Sequence, residues 1–393
     1  MKILLATHTY YPSVNGAAYF TYRLANALVK KGHSVSVICP SMLFKNTISN
    51  ENGVMVYGIK SVYIPIHQKL RVSSITLSKK TMEKIIKKIS PNIVHIQNSF
   101  MISKGVAKIA KKSGIPIIGT NHFMAENLVQ YFHMPKIIES WLNKLSWKQC
   151  IKVFEQVNLV TTPTKTAAEL LKKEGFSKDV IAVSNGIDLN RFKPTNDGSY
   201  LKQKYAIPTD RPVLLYAGRL DKEKKVEVIL QALSFILSVT NVHLVLAGVG
   251  NKKQILRKLA EKLNIQQAVT FTGFVSEKDW QNIYRIADIF VIASIAELQS
   301  IVTMEAMASG LPVVATNVMA LPELVHDGGN GYLFSDGDSE TLAKEVLKIL
   351  SNKNLQTQMS KKSLEIIQVH DINKTVDKYE SLYKEVIINR YKS

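Results

Sequence analysis

The sequence predicts an α/β protein built from two doubly wound, Rossmann-like domains, and three observations predict it. From Met1 to about Pro194, short apolar runs alternate with amphipathic segments of helical period. The turn-forming stretch LNRFKPTNDGS then interrupts the pattern, and a second alternating series runs from PVLLYAG to GYLF. At 393 residues the chain is long for one core and comfortable for two.

In order, KILLAT reads as a first buried strand, YFTYRLANALVKKG as a helix and HSVSVICP as a second strand. NIVHIQN, a helix ending at KKSG, and IPIIGTNH repeat the unit. After the break come the strands PVLLYAG, HLVLAG, VTFTG, DIFVIAS, PVVAT and GYLF, and the last segment, NKTVDKYESLYKEVIINRYKS, is helical. Two such domains, 1–194 and 195–372, facing each other would place the carboxyl ends of both sheets at a shared cleft, where open α/β folds bind ligands.

Composition narrows the class. No apolar run approaches the roughly 18 residues of a spanning helix, and the short ILLAT after Met1-Lys2 lacks a signal peptide's length and cleavage site. Cys39 and Cys150, far apart, give no disulfide framework and suit a reducing cytoplasm. Nine histidines without metal-ligand spacing lead us to expect no metal. Residues 1–195 carry 27 Lys and Arg against 9 Asp and Glu, the remainder 24 against 22. A solvated surface, a nucleic-acid groove and a face for anionic lipid all fit such an excess, but the balanced second half makes proteome-wide lysine bias insufficient.

The strongest chemical signal is AELQSIVTMEAMASGLPVVAT. A helix from near Ser300 to Gly310 could leave Glu305 merely solvated. Met304, Ala306, Met307 and Ala308 leave little polar face, however, and LPVVAT reads as a strand buried on both sides. Glu297, in the loop before the helix, can accept from sugar hydroxyls, and Glu305, two turns on, can take both hydroxyls of a ribose. The amides of Gln299, Ser300 and Ile301 would point from the helix N-terminus at a diphosphate.

At this pair, spaced E-x7-E, the chain resembles the retaining glycosyltransferases of family 4, which have the two-domain GT-B fold. The resemblance covers nearly the whole chain, through MKILLATHTYYPSVNG, GIPIIGTNHF, SNGIDLNRFKP, AGRLDKEKK, FTGFVSEKDW and DGGNGYLF in the family's order. It implies that the closing helix, 373–393, crosses back to complete the first domain. It also implies that Gly16 meets the donor's diphosphate or sugar, although Gly16-Ala17 stands where the family has two glycines. Arg219 and Lys224 would neutralise the leaving diphosphate, with Lys225 in place of the family's glycine. His122 would contact the donor sugar as neutral imidazole. Phe274 and Val275 would read the nucleobase through backbone groups, with a UDP-sugar favoured over a GDP-sugar. The GVG at 248–250 lacks a full dinucleotide fingerprint.

Glu126 and Asn127, in NHFMAENL, lie on the expected acceptor side, where a carboxylate could orient an acceptor hydroxyl or equally cap a helix. This segment resembles the branch of the family that glycosylates diacylglycerol. Two stretches suit a membrane surface. One helix would set Met82, Ile85, Ile86 and Ile89 on one face, unless that face simply packs on the sheet; the other interleaves Trp141 and Trp147 with lysines.

The expectation is a metal-free, retaining transfer of a hexose to a lipid acceptor by a peripheral enzyme at the cytoplasmic face of an anionic membrane. No nucleophile lies in the motifs, which favours same-face attack. A soluble or polyprenyl-linked saccharide is the alternative acceptor. A basic nucleic-acid-binding protein is the reading from another class, but no recognition motif supports it and the Glu pair would go unexplained. A catalytically silent module of the same fold has Glu297, Glu305, Arg219, Lys224 and His122 against it.

Overall fold

The computed structural model describes residues 1–13, 15–64, 67–124 and 136–390. Contacts divide the chain into Met1–Gly186 with Ile372–Ser393, and Ile187–Asp371. The division precedes the turn-rich LNRFKPTNDGS because Ile187 and Phe192 are already buried in the second unit's core. Gly186 ends the first unit at φ +70°, so close to Ile372 and Thr375 that a Cβ would overlap them.

The first unit holds β1 (Lys2–Ala6), β2 (Ser34–Pro40), β3 (Thr47–Glu51), β4 (Val54–Ile59), β5 (Val62–Ile64), β6 (His67–Val72), β7 (Ile93–Ile96), β8 (Ile117–Thr120), β9 (Leu159–Thr162) and β10 (Val180–Ala182). Eight of them form one sheet in the order β10-β9-β8-β7-β1-β2-β4-β3, parallel except for the edge strand β3, and β5 and β6 pair as a separate antiparallel hairpin. The central β1 registers Lys2 to Ala6 against Ser34 to Ile38 on one side and Ile3 to Ala6 against Ile93 to Ile96 on the other. Its four buried residues in a row are what two covered faces demand.

Helices cover both faces. In the helix Ile75–Ile89, Met82 and Ile86 are buried in the same core cluster as Val106 and Ile109 of the helix Met101–Lys112. That apolar face therefore packs inward, and the membrane role considered for it is replaced by a core role. The helix Lys136–Phe154 corrects a second expectation: Trp147 is buried against Phe123, and only Trp141 of the pair is exposed.

The helix Ile372–Arg390 closes the first unit by burying Val376, Tyr379, Leu382, Tyr383 and Val386. Five such side chains contribute on the order of 10 kcal/mol of transfer free energy before entropy is subtracted. Its polar groups are satisfied as well. Tyr383 OH lies 2.7 Å from His95 Nδ1, His95 Nε2 lies 2.6 Å from Thr120 Oγ1, and Tyr379 OH reaches Thr120 and Thr161 at 3.2 Å. Outside, Lys31 bridges Asp377 and Glu380.

The second unit holds β11 (Val213–Ala217), β12 (His243–Ala247), β13 (Val269–Gly273), β14 (Ile289–Ile292), β15 (Val313–Thr316) and β16 (Gly331–Phe334). They form one all-parallel sheet in the order β13-β12-β11-β14-β15-β16. The order reverses between β11 and β14, and a ligand crevice opens beyond the carboxyl ends of strands at such a switch point. There the strand ends crowd together: a Cβ on Gly248 would lie 1.8 Å from the Gly218 carbonyl oxygen, and Gly248 also bridges to Gly273. Gly248, at φ +150°, thus leaves no room for a side chain where β11 and β12 finish side by side.

Candidate active site

Lys224 ends a short turn, Lys222–Lys224, that follows β11, and Glu297 lies in the loop after β14. The switch point brings them together: Lys224 Nζ donates to Glu297 Oε1 at 2.7 Å and to Ser294 Oγ at 3.4 Å. Both side chains are mostly buried, so the pair sits in a reduced dielectric where its charges interact strongly. The Glu223 carbonyl accepts from the Ile295 amide at 3.0 Å, locking the two loops in register.

Arg219 leaves the same strand end. It pairs with Asp221 and Glu223 at 2.5 Å each, and both acids are buried while the guanidinium is partly exposed. Beneath it Tyr216 OH donates to the Arg219 carbonyl at 2.6 Å. Burial pushes that phenol well above its usual range, so it remains a donor.

Lys225, where the resembled family has glycine, takes the left-handed conformation at φ +44°, ψ +41°. The backbone therefore keeps the turn that a glycine favours. The cost for a residue with a Cβ is about 1–2 kcal/mol, and Lys225 Nζ holds both Asp336 oxygens at 2.6 Å in partial compensation.

The helix Ile301–Ala308 starts where the stop and start signals place it. Ser300 caps it, accepting from the Thr303 amide and, at 2.8 Å, from Thr303 Oγ1. The Ser300 hydroxyl is thus committed to the cap, leaving its backbone, with those of Gln299 and Ile301, at the end where helical amides lack intrahelical partners. Glu305 is buried within this helix, and its Oε2 accepts from Trp280 Nε1 at 2.8 Å and Tyr284 OH at 2.7 Å. Sequence reasoning did not anticipate these two donors. The only signal for them was the Trp that ends FTGFVSEKDW. Asp221 and Glu223 were missed because nothing in AGRLDKEKK tells inward acids from solvated ones, and Ser294 because nothing in DIFVIAS marks its hydroxyl.

At the end of β13, Gly273 turns at φ +70°, Phe274 is exposed and Val275 is buried. Val275 anchors the turn in the core.

Gly16 and His122 belong to the first unit. Gly16 is exposed and opens the helix Gly16–Lys30, capped by Asn15, whose side chain accepts from the Ala18 amide at 2.9 Å. His122 follows β8, 3.3 Å from Gln97 Oε1 and 4.8 Å ring to ring from Phe20. Burial holds it neutral by lowering its pKa to about 3. At the same carboxyl edge of the sheet, Gln97 Nε2 and His8 Nδ1 are buried without a hydrogen-bond partner among the described residues. Glu126 and Asn127 lie outside the described residues. Among the described residues no group of three or more His, Cys, Asp or Glu could hold a metal ion, and no helix is long and apolar enough to cross a membrane.

Comparison with known proteins agrees with this geometry. Residues 14–191 match the model of Glycosyltransferase Family 4, and residues 199–365 that of Glycosyl transferases group 1. The chain is 26% identical to an alpha-monoglucosyldiacylglycerol synthase of Acholeplasma laidlawii, over 92% of this chain and 91% of that protein. It is 27% identical to the protein of the same name from Streptococcus pneumoniae, over 99% and 87%. Among solved structures, sucrose-phosphate synthase from Thermosynechococcus elongatus superposes with a TM-score of 0.82 over 98% of this chain and 99% of that one, at 19% identity. That last likeness speaks to the fold.

Proposed function

Since the chain belongs to family 4 of the glycosyltransferases, hexosyltransferases of GT-B fold, we propose that it transfers a hexose, with retention, from a nucleotide diphosphate sugar to a membrane lipid such as diacylglycerol. The observation that carries this reading is the Lys224–Glu297 pair at the switch point of the second unit's sheet. It sets a cation and a carboxylate beside the N-terminus of the helix Ile301–Ala308. Lys224, Arg219 and the amides of Gln299, Ser300 and Ile301 would take the charge that grows on the diphosphate, without a metal. Glu297 would hold sugar hydroxyls and Glu305, steadied by Trp280 and Tyr284, the ribose. Gly16 would approach the donor from the first unit, and the turn at Phe274 and Val275 would read the base, a uracil in preference to guanine.

In the transfer, the acceptor oxygen bonds to the anomeric carbon on the face from which the diphosphate departs. The bond from that carbon to the phosphate oxygen breaks, and the acceptor proton passes to the departing phosphate. No side chain need form a covalent intermediate. Neutral His122 would hydrogen-bond the donor sugar, and Glu126 and Asn127 would flank the acceptor. The names of the two relatives at 26% and 27% identity support the lipid acceptor. Such an enzyme would work as a peripheral protein on the cytoplasmic face of an anionic membrane.

The test is donor turnover by the purified protein across UDP- and GDP-sugars, with and without diacylglycerol in anionic vesicles. Turnover of one donor only when the lipid is present, with the α-anomer retained in the product, is the expected result. Turnover onto a saccharide, with no lipid dependence anywhere in the panel, would replace the acceptor assignment.

A further inference from the structure

The helix Lys136–Phe154 is apolar on two sides. Trp147, Cys150, Val153 and Phe154 face the core and are buried. On the opposite side Ile137, Trp141, Leu145, Lys148 and Lys152 follow one another at steps of three and four residues, which is a single stripe along a helix. All five are exposed, Ile137 at 84% and Trp141 at 62%, and exposed Ile138 and Lys144 flank the stripe. Its first half is thus entirely apolar and its second half is lysine. The next acid along it, Glu155, lies past the helix end.

An exposed Ile-Ile-Trp-Leu ridge covers no part of the core and costs free energy in water, so it marks a contact surface. The charge pattern selects the occupant. The first unit carries 30 Lys and Arg against 11 Asp and Glu, whereas the second carries 21 against 20, so nearly all the excess lies on the unit that bears the ridge. A second copy docked stripe to stripe would bury Lys144, Lys148 and Lys152 against apolar side chains or against each other, without counter-charges. An anionic bilayer meets both halves. Residues 137 to 145 span about 12 Å of helix, a length that reaches from the headgroups to the acyl boundary, where Trp is favoured, while the lysines stay level with lipid phosphates.

We infer that this helix is the membrane-docking element, inserting the ridge Ile137-Ile138-Trp141-Leu145 into an anionic leaflet with Lys144, Lys148 and Lys152 on its phosphates. The inference rests on the lipid-acceptor reading and adds to it the surface, the lipid charge and the orientation of the helix.

The experiment is sedimentation of the full-length protein with phosphatidylcholine vesicles, with and without phosphatidylglycerol, for the wild type, Ile137→Ser/Trp141→Ser, and Lys144→Ala/Lys148→Ala/Lys152→Ala. Circular dichroism verifies that each variant is folded. Phosphatidylglycerol should raise wild-type binding at least tenfold, the Ser pair should lower it at least tenfold, and the Ala triple should abolish the preference for anionic lipid. Brominated acyl chains should quench wild-type fluorescence and fail to quench Trp141→Phe, because Trp147 is buried and Trp280 packs on the second unit's core. Undiminished vesicle binding by the Ser pair, or a dimer that the Ser pair dissociates, would overturn the assignment. Turnover of a short-chain diacylglycerol below its micelle concentration separates the two ideas. Wild-type rates there in the Ser pair, with lost vesicle binding, uphold both. Absence of turnover by the wild type refutes the acceptor while leaving the docking result to stand or fall on sedimentation.

Discussion

Lys224 Nζ and Glu297 Oε1 stand 2.7 Å apart although 73 residues separate them in the chain, and the sheet's order places them there by setting β11 beside β14. A pair this close and this buried is expensive to break from one side, because the survivor keeps its charge without its partner. Lys224→Ala should therefore lower kcat about 100-fold and also cost stability. The double variant Lys224→Ala/Glu297→Ala should be more stable than Lys224→Ala while remaining inactive. Urea unfolding and steady-state turnover on the same preparations test both statements.

Glu305→Ala should abolish transfer, and the structure adds a stability cost of about 1–3 kcal/mol because Trp280 Nε1 and Tyr284 OH lose their acceptor. Tyr284→Phe should behave differently, keeping the carboxylate but loosening it, so that the KM for donor rises more than kcat falls. A Tyr284→Phe enzyme with unchanged donor KM would remove tyrosine from this role.

At Lys225 two small terms oppose each other. Lys225→Gly relieves the left-handed strain and loses a partly exposed ion pair with Asp336 worth about 0–1 kcal/mol. Its stability should lie within about 1 kcal/mol of wild type with turnover unchanged, and Lys225→Ala, which keeps the strain and loses the pair, should be the less stable of the two. Thermal melts that reverse this ranking would contradict the account of the turn.

Acid should weaken the first unit before its carboxylates titrate. Burial lowers His8 to about 4 and His95 and His122 to about 3, against about 6.5 in an unfolded chain. Between those values the unfolded chain binds protons that the folded one refuses, so stability present above pH 6.5 is lost as pH falls. Each histidine contributes a slope of up to about 1.4 kcal/mol per pH unit. Urea midpoints should drop between pH 7 and pH 5, and the drop should be smaller in His122→Gln. Equal midpoints at the two pH values would mean that these imidazoles titrate freely.

Much of the fold was legible because it rests on continuous apolar runs. KILLAT, HSVSVICP and PVVAT can only be strands covered on both faces, and all ten runs read as strands are strands. Strands β3 to β6, β9 and β10 were not named; β9 has two Thr where an apolar run would continue, and β10 is only three residues long. The Glu297–Glu305 spacing was legible as chemistry, but the partners of those carboxylates were not. Lys224 reaches Glu297, and Trp280 reaches Glu305, only through strand order, which no local pattern encodes. The two tryptophans of the helix Lys136–Phe154 show the same limit. Trp141 and Trp147 are alike in composition, and six residues, about 240° around a helix, set one at the surface and the other in the core.

The helix Ile372–Arg390 is translated after the whole of the second unit, yet it supplies a wall of the first. During synthesis, then, the sheet begun at Met1 waits through the making of 185 intervening residues, Ile187 to Asp371, with the face destined for Tyr379 and Tyr383 uncovered. His95 and Thr120 wait with it, lacking the phenols they bond. A nascent chain stalled before Ile372 would present that face to chaperones and proteases. Only a chain translated through to this helix can bury the apolar surface that a shorter one leaves open.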